Sequence, residues 1–268
     1  MTATIFDTNG QKKTEKELPK QFKEKVRDDI IQRAVLALQS KRRQPYGSDP
    51  KAGMKSSADL SRRRRKYRGS YGHGISRVPR KILWRRGTHF MWVGAFAPGT
   101  VGGKKAHPPK AEKKWEERIN KKENRKAIRS AMSATISTDL VAGRGHKLPK
   151  TYPIILDPSF EDIDKTKKVR DALAKLELAE ELKRCTVRKV RAGIGKLRGR
   201  KYKKKVGPLI VVSKTCKLSK ACQNISGVDI VNIKSLNAER LAPGGVPGRL
   251  TLWSASALDL LEKEKLYT

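Results

Sequence analysis

The sequence predicts an α/β domain, a mostly parallel sheet flanked by helices, interrupted by one long, extended, non-globular internal arm. Three observations predict it. Short apolar runs at 154–156, 209–212, 228–233 and 250–253 are separated by segments of helical periodicity, the alternation expected of a parallel sheet covered on both faces. Residues 44–110 show almost no helical or alternating apolar pattern, and their 67 positions hold ten glycines, six prolines and sixteen Lys or Arg against two acids, Asp49 and Asp59. The whole chain carries 63 Lys plus Arg against 26 Asp plus Glu, a formal charge of +37, so such an extension needs a dense polyanion beside it before it can pack. The globular domain is therefore assigned to 1–43 and 111–268, and the arm to 44–110.

Taken in order, Ala3-Thr4-Ile5-Phe6 reads as a strand, Asn9-Gly10 as a hairpin turn and 11–18 as the returning strand. After Pro19, placed where a first helical turn tolerates it, Phe22, Val26, Ile30, Ala34 and Leu38 recur every four residues, and Ile31 and Val35 widen the stripe. This is an amphipathic helix ending near Lys41-Arg42-Arg43, whose charges suit a helix C-terminus. Beyond the arm, Trp115, Ile119, Ala127, Ile128, Ala131, Met132 and Ile136 mark a second long helix with a cationic outer face. The two helices are expected to pair and close the base of the arm. From Pro149 strand and helix alternate: 154–156, a Ser159-to-Asp162 capping signal ahead of Val169, Leu173 and Leu176, then 209–212. Leu218, Ala221, Cys222 and Ile225 follow at helical spacing, Gly227 stops that helix, 228–233 is a strand, and 250–253 precedes a helix capped by Ser254.

Several function classes find little support. Cys185, Cys216 and Cys222 form no paired framework and offer no two-residue spacing for zinc, and Cys222 falls on the apolar stripe of its helix. No metal and no cofactor is expected. Gly193-x-Gly195-x-x-x-Gly199 is off by one from a dinucleotide fingerprint, and a phosphate-binding loop around Gly103-Lys104 fails because Pro98 and Lys105 stand where glycine and Ser or Thr are required. His73, His89, His107 and His146 have no carboxylate beside them in sequence, which argues against base or metal roles. An RNA-processing enzyme would have only Asp157, Asp162 and Asp229 near strand ends, which read more simply as caps and turns. No run approaches the roughly 18 apolar residues of a spanning helix and Met1 opens no secretory signal, so a cytosolic protein without membrane contact is expected.

The basic segments point to RNA. Arg62, Arg63, Arg64, Arg65 and Lys66 are consecutive cations followed by Tyr67 and Arg68, a block that repels itself unless phosphates intervene. The glycines at 69, 72 and 74 let the backbone approach closely, while Tyr71, His73, Trp84, His89, Phe90 and Trp92 supply rings for splayed bases. A helix reading a DNA major groove would not contain so many glycines. A second island, Arg188, Lys189, Arg191, Lys196, Arg198, Arg200, Lys201, Lys203, Lys204 and Lys205, contains no acid and spaces its cations around Gly193, Gly195 and Gly199. A solvated basic loop and a general DNA compactor are the plainer readings of these runs. Competition with duplex DNA separates the second of them from an RNA binder.

With the order hairpin, helix, basic arm, helix, α/β sheet on the page, the chain resembles large-subunit ribosomal protein four (L-four, universal name uL-four) in its archaeal and eukaryotic form, over nearly its whole length. The most specific pieces are Gly69 to Lys81 with Ser76-Arg77-Val78-Pro79-Arg80, then Gly87-Thr88-His89, Gly94-Ala95-Phe96-Ala97-Pro98 and Arg191 to Arg198; Ile5-Phe6-Asp7 with Asn9-Gly10 also looks like the family's start. Where eukaryotic relatives have a run of glycines before the Thr-His pair, this chain departs with Ile82-Leu83-Trp84-Arg85-Arg86; its smaller carboxy-terminal extent favours an archaeal-type protein. The resemblance implies a structural constituent of the large ribosomal subunit in the cytoplasm, with no chemical step of its own. Its partners would be 23S-type ribosomal RNA, other large-subunit proteins including the tunnel protein numbered twenty-two, and the nascent polypeptide. By motif, Gly72, His73, Gly74, Ile75, Ser76 and Arg77 would lie at the exit-tunnel wall. Arg62 to Arg68, Arg80, Lys81, Arg85 and Arg86 would hold the arm on phosphates. Trp84, His89, Lys104, Lys105, Arg42, Arg43 and the island residues Arg188, Arg191, Lys196, Arg198, Arg200 and Lys201 complete the expected RNA contacts.

Overall fold

In the computed structural model, residues 2–55, 58, 60–66 and 68–268 are described. The chain divides into two compact units, Met1–Arg42 with Glu116–Thr268, and Arg43–Trp115. Tyr67, expected among the RNA contacts, and Asp59 lie outside the described residues.

The larger unit is built on a six-stranded sheet. Strands β1 (Thr2–Phe6) and β2 (Lys12–Glu17) form an antiparallel hairpin. Its loop is closed by Gly10 N–H on the Asp7 carbonyl (2.8 Å) and Asp7 N–H on the Gln11 carbonyl (3.0 Å). Gly10 is required twice over, because its φ is +79° and a Cβ there would meet the Lys175 carbonyl at 2.8 Å. The other strands are β5 (Ile154–Leu156), β8 (Leu209–Val212), β9 (Asp229–Asn232) and β10 (Thr251–Ser254), all parallel to β1, in the order β2-β1-β5-β10-β8-β9. Strands β3 (Arg80–Arg86) and β4 (His89–Gly94) belong to the smaller unit, and β6 (Lys189–Val190) and β7 (Tyr202–Lys203) form a short antiparallel pair of their own.

Because successive side chains of a strand face opposite ways, each central strand feeds two apolar layers. Ile155, Leu209, Val211 and Trp253 enter one layer with Phe22, Ile31, Val35, Met132 and Leu258. Ile154, Leu156, Ile210, Val212 and Leu252 enter the other with Phe160, Val169, Leu173 and Cys222. The first layer is covered by α1 (Asp28–Lys41), α2 (Lys121–Ala134), a one-turn α7 (Ala238–Leu241) and α8 (Ala255–Lys263). The second is covered by α4 (Thr166–Lys175) and α6 (Lys217–Cys222), with α3 (Thr138–Gly143) and α5 (Ala179–Thr186) on that side. Burial on both faces explains why these strands are continuous apolar runs and not alternating ones.

Several sequence expectations need correction. The helix expected directly after Pro19 begins only at Asp28; residues Lys20–Lys23 form a 3₁₀ turn. Tertiary contacts hold this break. Gln21 donates to the carbonyls of Leu261 (3.2 Å) and Leu266 (3.3 Å), and Phe22 meets Trp253 edge-on at 4.9 Å. Ser130 of α2 accepts from the Arg27 N–H (2.7 Å) and donates to the Lys25 carbonyl (3.1 Å). The second helix likewise starts at Lys121, so Trp115 and Ile119 precede it. Its partner is α1 as expected: Ile30, Ile31, Ala34 and Val35 share the layer with Ala127, Ile128, Ala131 and Met132. Two caps also move. Asp157, not Ser159, caps the turn Pro158–Asp162 by accepting from the Ser159 N–H, and α4 begins four residues later than that turn ends. Ser254 stands at the start of α8 but its hydroxyl donates to the buried Glu161 (2.6 Å), whose carboxylate also takes the Ser213 N–H (3.1 Å) and hydroxyl (2.7 Å).

Candidate nucleic-acid interface

The smaller unit contains more regular structure than its sequence suggested. Strands β3 (Arg80–Arg86) and β4 (His89–Gly94) form an antiparallel ribbon turning on Gly87 and Thr88. A bulge at Leu83 separates the pairs Ile82–Trp92 and Trp84–Met91. The extra residue breaks the two-residue alternation on which strand recognition depends, so the run Ile82 to Arg86 carried no readable pattern. Outside the ribbon, the described residues of this unit form turns, bends and irregular backbone.

Register sorts the ribbon into two unlike faces. The pairs Arg80–Gly94, Ile82–Trp92 and Arg85–Phe90 share one face, and Lys81–Val93, Trp84–Met91 and Arg86–His89 share the other. On the first face Phe90 and Trp92 stack at 5.4 Å, His73 meets Trp92 edge-on at 5.8 Å, and the Arg80 guanidinium lies 5.8 Å from the Trp92 ring. Arg80 also donates to the hydroxyls of Ser70 (3.2 Å) and Ser76 (3.1 Å), so this expected phosphate ligand organises the segment 70–76. The second face is open: Trp84 is 56% exposed, Met91 58% and Val93 44%, beside exposed Lys81, Arg86 and His89. Rings and apolar stems flanked by unpaired cations are the composition of a base-stacking platform with a phosphate rail.

The remaining arm residues fall around this ribbon. Arg62, Arg63, Arg64, Arg65 and Lys66 are exposed, as is Arg68, and Arg65 holds a left-handed φ of +59°. Gly72 (φ +79°) and Gly74 (φ +65°) shape a turn around His73, and Arg77 sits 5.8 Å from the Tyr71 ring and bonds its hydroxyl at 3.4 Å. Ile75 is half-buried and Ser76 exposed. Lys104, half-buried, is fixed by its backbone N–H on the Phe96 carbonyl (3.0 Å), and Lys105 is exposed. Arg43 lies over the Trp115 ring at 4.1 Å, and Tyr46 stacks on that ring at 5.0 Å. Arg62 to Lys66, Arg77, Arg80, Lys81, Arg85 and Arg86 reach no described carboxylate within ion-pair distance; Lys55 reaches Asp49 at 3.9 Å.

The second basic island lies in the larger unit and is a structured excursion, not a plain loop. Lys189–Val190 pairs with Tyr202–Lys203, the Arg191 N–H bonds the Lys201 carbonyl (2.8 Å), and left-handed Gly193 (φ +74°) and Gly199 (φ +76°) turn the chain between them. Arg188, Arg191, Lys196, Arg198, Arg200 and Lys201 are all exposed and meet no described carboxylate. Val190, Ile194 and Leu197 are exposed among them. The Gly193-x-Gly195-x-x-x-Gly199 pattern therefore lies on this excursion and not at a strand-to-helix turn.

A buried network roots the excursion. Glu181 on α5 accepts from Arg184 Nε (2.7 Å) and Nη2 (2.6 Å), from the Lys147 N–H (3.0 Å), and meets His146 Nδ1 at 2.7 Å. Arg184 also donates to the Val206 carbonyl (2.7 Å), and Gly207 bonds Gly227 beside it (2.9 Å). Neither glycine admits a side chain, since a Cβ at Gly207 would lie 2.5 Å from Cys185 Sγ. Burial pushes the Glu181 carboxyl up, but the hydrogen bonds from Arg184, His146 and Lys147 outweigh it and bring it down to about 2. This corrects the expectation for His146: no acid neighbours it in sequence, yet one 35 residues away does in space. The grouping escaped sequence reading because it depends on how α5 packs.

No catalytic constellation emerges among the described residues. Asp157 is occupied with Ser159 and with Lys13 (3.1 Å), Asp229 pairs with buried Arg249 (2.5 Å), and Asp162 is exposed. No described group of three or more His, Cys, Asp or Glu is arranged to hold a metal. Cys222 is fully buried, and burial pushes its thiol up to about 12, as befits a core residue. No described helix is long and apolar enough to cross a membrane.

Comparison with known proteins places the chain. The model of the ribosomal protein L4/L1 family matches residues 16–264. A large ribosomal subunit protein uL4 from Nanoarchaeum equitans is 51% identical over 268 residues, covering all of both chains. Proteins of the same name from Archaeoglobus fulgidus (44% over 262 residues, 97% of this chain and 98% of that one) and Methanocaldococcus jannaschii (44% over 265 residues, 98% and 99%) are also similar.

Proposed function

Because the chain belongs to the ribosomal protein L4/L1 family, and so to the protein complement of the large ribosomal subunit, which works in the cytoplasm alongside ribosomal RNA and other ribosomal proteins, we propose that it grips that RNA through two separate cationic elements. The relatives are named as ribosomal proteins, not as enzymes, and its work is structural. The first element is the arm, residues 44–110, with Arg62 to Arg68, Lys81, Arg85 and Arg86 on phosphates and the Trp84, Met91, His89 face against unstacked bases. The second is the excursion from Arg188 to Lys205. One observation carries this reading above the others: on the β3–β4 ribbon the cations Lys81, Arg85 and Arg86, which meet no described carboxylate, coincide with exposed rings and apolar side chains. Folding a long arm costs on the order of 1–2 kcal/mol per residue in backbone entropy, which only many simultaneous phosphate and stacking contacts offset.

The finer part of the proposal places Gly72, His73, Gly74, Ile75, Ser76 and Arg77 at the wall of the nascent-polypeptide exit tunnel, near large-subunit protein twenty-two. Small and left-handed residues around His73 suit a surface that borders a narrow channel. The direct test is crosslinking from a photoreactive residue at position 73 in intact large subunits. A stalled nascent chain captured there supports the assignment, and capture of RNA alone sinks it. The RNA-binding part is tested by filter binding of the full chain to large-subunit RNA across a salt series, with duplex DNA as competitor. Affinity falling linearly with log salt and resistant to duplex DNA is expected. Equal competition by DNA would favour a general nucleic-acid compactor.

A further inference from the structure

Outside the carboxyl ends of β8 and β9 the larger unit has a polar cleft of about 450 Å³, lined by Arg42, Lys214, Thr215, Ser219, Asn232, Asn237 and Arg240 among others. Neither the arm nor the basic excursion contributes to it. Its three cations come from three different places in the fold: the C-terminus of α1, the loop after β8, and α7. No carboxylate is among the lining residues. Both arginines are paired with a carboxylate, Arg42 with Glu239 at 2.7 Å and Arg240 with Asp229 at 3.6 Å, while Lys214 is exposed and meets no described acid. The amide side chains are oriented too. Asn232 uses its oxygen to cap the Lys234 N–H (3.0 Å) and Asn237 uses its oxygen to cap the Arg240 N–H (2.9 Å), which leaves the NH₂ donor of each as its other polar end. The hydroxyls of Thr215 and Ser219 add further donors.

We propose that this cleft binds a phosphate group. Several cations and neutral donors converging from separate elements, with no acid on the wall, match a multiply accepting tetrahedral anion better than a single carboxylate. The crevice beyond the carboxyl ends of parallel strands is also where open α/β sheets generally take ligands. The phosphate is supplied either by an RNA phosphodiester or by a free small phosphate. The inference goes beyond the arm and excursion and does not depend on them.

The test is amide NMR of the full-length chain at constant ionic strength, titrated with inorganic phosphate in exchange for chloride and, separately, with a hexauridylate oligonucleotide. Saturable shifts at Thr215, Asn232 and Asn237 are expected, with the midpoint weakened at least fivefold by Lys214→Ala and further by Lys214→Glu. Lys12→Ala, on exposed β2, leaves the midpoint unchanged. Saturation by both probes identifies a general phosphate site, and saturation by the oligonucleotide alone identifies an RNA backbone site. Shifts that stay linear and spread over the cationic surface, equal in the parent and Lys214→Ala, overturn the inference. Salt-dependent affinity for large-subunit RNA would survive that result, which keeps this failure distinct from failure of the RNA-binding role.

Discussion

The two cationic hairpins of this protein use opposite means of support. The β6–β7 excursion presents ten Lys or Arg between 188 and 205, and its root is tied to a network of buried Glu181 and His146 with half-buried Arg184. Among the described residues, the β3–β4 ribbon has no buried ion pair at its base. It is braced by Arg80 on two serine hydroxyls and by a stack of half-buried rings. Solvent weakens contacts of the second kind, whereas buried charges lose a great deal when one partner is removed. The comparison teaches that one hairpin is anchored to the core of its unit and the other is held by contacts nearer the surface; under the proposed function, the first is positioned before RNA arrives and the second draws its final shape from RNA.

The largest effect tests the scaffold on which that difference depends. Trp253, buried in the α1/α2/α8 layer and packed edge-on to Phe22, should cost about 3–5 kcal/mol on truncation to Ala, read as a lower midpoint in urea unfolding. Next, Glu181→Gln should destabilise by about 3 kcal/mol at pH 7, because it leaves the half-buried Arg184 guanidinium without its counter-ion and removes the carboxylate that bonds buried His146. The sign with pH is definite. The Glu181 carboxyl lies at about 2 against an ordinary 4.5, so its contribution is full above pH 4.5 and fades as pH falls toward 2. Unfolding curves of Glu181→Gln and the parent should therefore converge on acidification, and a constant gap would remove the network from the account.

Smaller effects probe the ribbon. Trp92→Ala should leave global stability within about 0.5 kcal/mol, since it breaks only half-buried contacts. It should nevertheless sharpen and collapse the amide signals of residues 70–77 in the free protein. Dispersed signals there in the variant would mean the bracing lies elsewhere. The finest effect is on salt dependence: each Arg→Gln change among Arg62, Arg63, Arg64 and Arg65 should lower the slope of log affinity against log salt by about 0.7–0.9 if that residue neutralises one phosphate. An unchanged slope with all four replaced would show that the block stays in solvent.

Much of the larger unit was legible beforehand because its central strands β5, β8 and β10 are buried on both faces and therefore largely apolar. Periodicity also located the partners in the α1–α2 pair. It misplaced both helix starts, since the stripe through Phe22 and Val26 remains apolar where Ser130 and Gln21 hold the backbone out of helix. The ribbon was hidden by the bulge at Leu83, and the cleft by residues scattered from Arg42 to Arg240. Local pattern reports which side of one element meets apolar surroundings; it is blind to a contact such as His146 with Glu181, 35 residues on, or Arg42 with Glu239, 197 residues on.

From the amino-acid order alone come the α/β class, the great excess of positive charge, the polar glycine-rich character of 44–110 and the family resemblance, because all are properties of composition or of neighbours along the chain. Strand order, the pairing of His146 with Glu181, the unlike faces of the β3–β4 ribbon and the acid-free cleft were decided by the tertiary structure. The physical reason is that these depend on which distant surfaces exclude water together, and that choice is made by the packing of whole elements.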